Sequence, residues 1–170
     1  MSETQSGGSH AHAGSSHAHT GGCQCGAVRF RVVGPLGDAS VCHCRMCQKA
    51  FGGFYAPLVT VPMSALTWTR GEPKRFQSSN AGRRGFCADC GTPLTYEAPD
   101  GIAIAIGAFD DPKEIAPQIQ WGIESKLPFV DSIPALPQKP TQADSGAASF
   151  LAVLESFQHP DHDTDQWPPA

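Results

Sequence analysis

The sequence has little of what marks a membrane or nucleic-acid-binding protein. No uninterrupted apolar run approaches the roughly 18 residues that cross a bilayer. Residues 1–20 lack the basic and apolar regions of a secretory signal. Positive charge is not in excess, because 12 Lys and Arg stand against 16 Asp and Glu for a net charge of −4. We therefore expect a cytoplasmic protein that binds neither membrane nor nucleic acid.

Charged residues are scarce as well, whereas turn-forming residues are abundant. Only 16% of the 170 residues are charged and 40% are hydrophobic, while 18 Gly and 15 Pro punctuate the chain. This composition favours short strands joined by turns over long helices. The length suits one domain of ordinary size with tails.

Three regions differ in composition. Residues 1–20 are mostly Ser, Gly, Ala and His and are predicted to be disordered. Residues 21–136 have the composition of a small β domain. Residues 137–170 are predicted to be a linker, an amphipathic helix over 144–157 that packs on the domain or on a partner chain, and a frayed acidic tail. The four histidines of the first region form either a metal-loading tail or a polar linker; they are His10, His12, His17 and His19.

Seven short segments of the middle region carry strand patterns. In residues 27–33, apolar side chains alternate with Arg29 and Arg31, which is typical of a half-buried strand. A one-turn helix is expected at 62–65. The predicted fold is mainly β, with several short antiparallel sheets. The other six strand segments are 54–61, 66–69, 74–77, 94–97, 102–106 and 119–123.

The seven cysteines are the strongest chemical signal. An odd count without a secretory signal argues against a disulfide framework, and thiols at short spacing are more often metal ligands. Thiolate ligands favour zinc, with iron–sulfur second. Gly26 and Gly91 follow the first and last cysteine clusters, where a positive φ allows a tight knuckle.

Seven thiols suit two metal sites, because a structural zinc takes four ligands and a catalytic zinc takes three plus an open position. One tight loop can supply three sulfurs, and the remaining four close a second site. A competing partition joins Cys42 and Cys44 to Cys87 and Cys90 and leaves Cys47 without a site. In the first partition the sites are the three-cysteine group (Cys42, Cys44, Cys47) and the four-cysteine group (Cys23, Cys25, Cys87, Cys90).

Four motifs together resemble a known family. GGCQCGAVRF, CHCRMCQKAFGGFYA, GRRGFCADCGTPLTY and IQWGIESKLPFV are similar, in order and spacing, to the glutathione-dependent formaldehyde-activating enzymes, whose domain also occurs in centromere protein V. The resemblance covers about residues 21–135 and implies a zinc-knuckle β-tent fold. By position, it assigns a structural zinc to the four-cysteine group and a catalytic zinc to the three-cysteine group, two per chain.

The resemblance also implies a reaction. The family joins glutathione to formaldehyde as S-(hydroxymethyl)glutathione and is a carbon–sulfur lyase in the reverse sense. A substrate thiol would occupy the open metal position and attack formaldehyde or a related small aldehyde. The sequence departs from the family at Gln120 and Phe129, where His and Trp are common.

Residues around such a site have two readings each. His43 lies between two ligands and is expected to point away from the metal, and Gly52-Gly53 allow either close ligand approach or a simple turn. Candidate partners for glutathione carboxylates, otherwise surface charges, are Lys49, Arg84 and Lys126. Candidate pocket walls, otherwise core residues, are Phe54, Tyr55, Phe109 and Trp121.

The alternative to an enzyme is a glutathione carrier or a zinc-stabilised interaction module that performs no chemistry. The incomplete ligand set of the three-cysteine group favours an enzyme, because a structural domain needs four ligands rather than seven. The sequence leaves a homo-oligomer open.

Overall fold

A computed structural model describes residues 17–168, which form two β-sheets with two short α-helices. Within this part of the chain, no helix is long and apolar enough to span a membrane. The strands are β1 (Ala18–Gly22), β2 (Arg29–Val33), β3 (Ala39–Cys42), β4 (Ala56–Val61), β5 (Leu66–Arg70), β6 (Lys74–Gln77), β7 (Arg83–Phe86), β8 (Pro93–Ala98), β9 (Gly101–Ala105) and β10 (Ile119–Trp121). The helices are α1 (Arg45–Phe51) and α2 (Ala148–Leu151).

The larger sheet has seven strands in the order β10-β3-β4-β9-β8-β7-β6. Its neighbours pair antiparallel except for β10 and β3, which are parallel. Cys42, the last residue of β3, stands opposite Trp121 on one side and Ala56 on the other. The sheet therefore fixes the point at which the chain enters the three-cysteine loop.

The smaller sheet, in the order β1-β2-β5, packs its buried face against the larger one. Phe30 of β2 is fully buried, with its ring edge-to-face against Phe109 at 5.1 Å and Trp68 at 6.0 Å between centroids. Phe30 shares one apolar cluster with Leu94 and Ile104 of the larger sheet. The alternation in β2 holds except at Arg29, which is buried because Asp110 and Asp163 pair with its guanidinium.

The prediction of a mainly β fold is confirmed. Each of the seven predicted segments contains a strand, and the predicted turn of helix is a 3₁₀ helix at Met63–Ala65. Among the strands and α-helices, β1, β3, β7 and α1 were not predicted. All seven cysteines are free thiols.

The two ends of the chain differ from expectation. Residues 18–20, predicted to be disordered, belong to β1 because its backbone pairs with β2, beginning with Ala18 opposite Val33. Residues 1–16, with His10 and His12, lie outside the described residues, so that part of the prediction stays untested.

The helix predicted over 144–157 was wrong in length. Only Ala148–Leu151 is α-helical, after a turn in which the Asp144 carboxylate accepts hydrogen bonds from two backbone amides. Its apolar stripe does not pack on the domain, since Phe150 is 56% and Phe157 87% exposed. The segment after it, predicted to be frayed, instead packs on the domain with His159 only 3% exposed.

Candidate metal centres

The four-cysteine group joins two turns that are distant in sequence. Cys23 and Cys25 follow β1, and Cys87 and Cys90 follow β7. Their four sulfur atoms all lie within 4.8 Å of one another, with 3.6 Å between Cys23 and Cys25 and 3.8 Å between Cys25 and Cys87. The group therefore ties the smaller sheet to the larger one.

The sulfur spacing fits a zinc ion. Four sulfurs at the usual zinc–sulfur distance of about 2.3 Å stand about 3.8 Å apart in a tetrahedron. Gly26 and Gly91 have φ values of +80° and +77°, as the knuckle requires, and the amide of Val28 donates to the Cys23 sulfur at 3.2 Å. The donor set, its spacing and its amide hydrogen bond all suit a bound zinc.

The thiols of this group differ in acidity. Burial raises the pKa of the Cys23 thiol to about 12. At Cys90 burial acts in the same direction, but hydrogen bonding by the Thr92 hydroxyl, 3.1 Å away, and by backbone amides outweighs it and lowers the pKa to about 6. Four thiols packed so closely hold few negative charges without a cation among them.

The three-cysteine group surrounds the start of α1. Cys42 ends β3, Cys44 caps the helix and Cys47 lies in its first turn, with all three sulfurs within 4.8 Å of one another. Burial opposes ionisation of Cys44, but amide donors at the helix start lower its pKa. Burial raises the pKa of Cys47 to about 12 although Arg84 acts against it. The described residues bring no fourth Cys, His or carboxylate ligand to this group.

Arg84 of β7 is the cation beside this group. Its Nη2 donates to the Cys47 sulfur at 3.3 Å, and its guanidinium lies 4.5 Å from the centre of the Tyr96 ring. The side chain is 7% exposed, and its Nη1 has no hydrogen-bond partner among the described residues. A fixed positive charge therefore borders the three sulfurs.

Two cavities meet at Arg84 and Met46. The first, of about 440 Å³, opens onto the three-cysteine group and is walled by Trp121 and other apolar residues; we call it the thiol cavity. The second, of about 540 Å³, combines aromatic walls with Arg45 and Lys49 and has no carboxylate among its lining residues; we call it the basic cavity. Both volumes fall within the usual range for small-molecule sites.

His43 points away from the sulfurs, as expected. It is 1% exposed, its Nε2 lies 3.0 Å from the Gln120 side-chain oxygen, and its ring stands edge-to-face against Tyr55. Gln120, one of the positions at which the sequence analysis noted a departure, therefore contacts this buried imidazole. Lys126 also donates to Gln120 and pairs with Asp131, which removes it from both cavities.

Of the four aromatic candidates, one lines a cavity, one lies in the core, and Phe54 and Tyr55 are exposed. Trp121 lines the thiol cavity, whereas Phe109 lies in the main apolar cluster. Phe54 stands edge-to-face against Phe129 at 5.1 Å. Gly52 ends α1 with a left-handed conformation, so its role here is that of a helix cap.

Gln48 is a site residue that the sequence did not reveal. It is 2% exposed, and its side-chain amide donates to the carbonyl oxygens of His43 at 2.7 Å and Ser125 at 2.9 Å. It thereby ties the three-cysteine loop to the chain that follows β10. A glutamine one position after a cysteine carries no pattern that would mark it in advance.

The class that fold and site define is a mainly β protein with two cysteine groups, one of four thiols and one of three, that could each hold a metal ion. Residues 18–125, which include all seven cysteines, match the family described as glutathione-dependent formaldehyde-activating enzyme. Since this match spans more than half of the chain, the protein belongs to that family, and the resemblance in the sequence is confirmed.

Comparison with solved structures gives a crystal structure of a Rhodobacter sphaeroides protein from a structural genomics programme. It is 24% identical, with coverage of 60% of this chain and 98% of that chain and a TM-score of 0.49. Comparison with curated proteins gives no significant match.

Proposed function

We propose that the protein is a zinc-dependent carbon–sulfur lyase that condenses glutathione, or a similar thiol, with formaldehyde or a related small aldehyde. The observation that carries this proposal is the pairing of a complete four-sulfur group with a three-sulfur group that borders a cavity. Family membership supports glutathione and formaldehyde as the substrates. Seven free thiols suit the reducing cytoplasm.

The two groups would hold two zinc ions with different tasks. The four-cysteine group would hold a structural zinc, since four ligands close its coordination. Cys42, Cys44 and Cys47 would hold the second with one position open. A zinc ion held there would accept the substrate thiol and favour its thiolate.

The reaction then needs little further chemistry from the chain. Addition forms a bond between the thiol sulfur and the aldehyde carbon, and the thiol proton ends on the aldehyde oxygen as the C=O bond becomes C–OH. The Arg84 charge stabilises negative charge on the sulfurs, and Tyr96 holds the guanidinium in place. Buried apolar side chains such as Leu58 and Ile102 form part of the cavity wall beside the reacting atoms.

The basic cavity supports an anionic thiol. Glutathione carries two carboxylates, and Lys49, Arg45 and Arg84 line this cavity without an acidic neighbour among its lining residues. Because Arg84 and Met46 border both cavities, a thiol in the first can extend its charged part into the second. Of the three cations considered from the sequence, Lys49 and Arg84 are therefore favoured.

Exchange NMR of glutathione with formaldehyde tests the proposal. Zinc-loaded protein should accelerate interconversion of glutathione and its hydroxymethyl adduct, and Cys44→Ser should abolish the acceleration. Unchanged exchange despite glutathione binding would indicate a carrier or a different electrophile. If the protein neither binds glutathione nor accelerates the exchange, both substrate assignments are contradicted.

A further inference from the structure

The last described part of the chain, residues 158–167, crosses the outer side of the four-cysteine group; we call it the C-terminal strap. Three successive carbonyl groups of the first knuckle, those of Gln24, Cys25 and Gly26, accept hydrogen bonds from the strap or from Arg70. The His159 amide donates to Gln24 at 2.8 Å, and the Trp167 indole donates to Cys25 at 2.6 Å. The third carbonyl, that of Gly26, accepts from Arg70 at 3.1 Å.

Arg70 is itself held by the strap. Its guanidinium donates to the backbone oxygen and the hydroxyl of Thr164, and lies 3.3 Å from the His159 ring. The same Thr164 hydroxyl lies 3.0 Å from His159 Nε2. All three knuckle carbonyls are thus bound by the strap or by a side chain that the strap orients.

The contact between the C-terminal strap and the first knuckle is closely packed as well as hydrogen-bonded. His159 is 3% exposed, and its ring lies where a side chain at Gly26 would stand, since a Cβ there would come 2.1 Å from His159 Cδ2. Gly26 is therefore required both for its positive φ and for room to seat the strap.

A second anchor fixes the strap to β2. Arg29 is 3% exposed and donates to both oxygens of Asp110, while its Nε and Nη2 donate to Asp163 at 3.0 and 2.7 Å. A buried guanidinium needs such partners, because its donors otherwise lose water without replacement. Asp163 of the strap accepts two of these hydrogen bonds.

We propose that the C-terminal strap is an intrachain clamp that preorganises the four-cysteine group for its metal. A thiolate knuckle requires backbone amides directed at the sulfurs, as the Ala27 amide is at Cys25 and the Cys25 amide is at Cys90. The carbonyls of the same two peptide groups, those of Gly26 and Gln24, therefore point away from the sulfurs. The strap binds those outward carbonyls and so holds the loop in its metal-binding shape. The strap lies beyond the family match at residues 18–125, and this inference is independent of the thiol chemistry proposed above.

The test compares paired substitutions in the full-length, zinc-loaded chain. Asp163→Asn removes the carboxylate charge that pairs with Arg29 at constant side-chain size, and Trp167→Phe removes the indole donor while keeping an aromatic ring. Asp165→Asn makes the same chemical change at an exposed strap position and is the matched control. Zinc release to a chromogenic chelator is followed in the parent chain and in a Cys44→Ser background, which isolates the four-cysteine group.

The paired variant should release this zinc about tenfold faster, which corresponds to about 1.4 kcal/mol. Hydrogen exchange at the Gly26 and Val28 amides should accelerate too, with no change at Ile104 in the core. Parent-like release from the paired variant would overturn the clamp. So would equal acceleration at Ile104, because that result indicates general destabilisation rather than a local effect.

Discussion

Replacing Arg84 with Gln should weaken zinc binding at the three-cysteine group. Three thiolates around a divalent cation carry a net charge of −1, whereas three thiols without a cation carry none. The Arg84 guanidinium, 3.3 Å from the Cys47 sulfur, therefore stabilises the metal-bound state more than the metal-free one. A glutamine of similar size keeps a hydrogen-bond donor but removes the charge.

The structure sets the size of the effect. At an effective dielectric constant of about 20, unit charges at this separation interact by about 5 kcal/mol. Because the net negative charge is shared by three sulfurs instead of lying on Cys47 alone, its mean distance from the guanidinium is longer, and the gain on binding falls to about 3 kcal/mol. We therefore expect zinc affinity at this group to fall by about a hundredfold.

The assay is competition for zinc against a chelator of known affinity, with the metal content of the protein measured at each step. One of the two expected zinc ions should become about a hundredfold easier to remove. Arg84→Lys should recover much of the affinity, since it restores the charge without the planar stack on Tyr96.

Arg83→Gln is the matched control. Arg83 is the next residue of the same strand, is 52% exposed and pairs with Glu97 instead of a cysteine. This pair involves no cysteine, and Arg75 also pairs with Glu97, so both zinc ions should stay as tightly bound as in the parent. Equal zinc affinity in Arg84→Gln and Arg83→Gln would refute the electrostatic role of Arg84.

Three further predictions concern the cysteine partition, the substrate and acid stability. Cys44→Ser should lose one zinc and retain the fold by circular dichroism, whereas Cys87→Ser should be insoluble or unfolded, because a structural zinc contributes on the order of 10 kcal/mol; equal behaviour of the two would contradict the partition. Lys49→Gln should raise the KM for glutathione about threefold, the effect of one exposed charge pair, and leave that for 2-mercaptoethanol unchanged, and a matching rise for both thiols would exclude carboxylate recognition. Burial opposes the charge on Asp110, but the Arg29 guanidinium lowers its pKa, so its stabilising effect is present above the ordinary value of 3.8 and is lost as the pH falls below it. In urea denaturation, Asp110→Asn should therefore have a lower free energy of unfolding than the parent at pH 7 and the same value in acid. A difference that stays constant with pH would refute the assignment of this pH dependence to Asp110.

The predictable parts of the fold are those whose signal is local. The alternation around Phe30 marks β2, and closely spaced thiols mark both cysteine groups without any knowledge of the sheets. By contrast, β1 reads Ala-His-Thr-Gly-Gly and has no apolar pattern, so only its pairing with β2 makes it a strand. Likewise β7 reads Arg-Arg-Gly-Phe, and nothing local marks Arg84 as a neighbour of Cys47.

The predictions for the C-terminal region were wrong for the complementary reason, because its structure depends on distant partners. Phe150, Leu154 and Phe157 are spaced as a helical stripe, yet no apolar surface of the domain receives them, and the helix ends at Leu151. The polar residues after them are ordered by partners such as Arg29, which lies 134 residues away from Asp163 in sequence. The composition of such a segment predicts fraying, because composition carries no information about a buried cation that lies far away in the sequence.

The surroundings of the two cysteine groups differ in the way that their proposed tasks require. Around the four-cysteine group, the knuckle carbonyls are bound by the C-terminal strap or by Arg70, and the sulfurs staple the two sheets. Around the three-cysteine group lie a cavity of about 440 Å³ and a guanidinium with an unpaired nitrogen among the described residues. A site that must hold its metal permanently is stabilised when its backbone groups are fixed by hydrogen bonds. A site that must admit a substrate needs open volume and a charged group with a free hydrogen-bond donor. The two zinc ions should therefore exchange at clearly different rates, and the slower one should be the zinc beneath the strap.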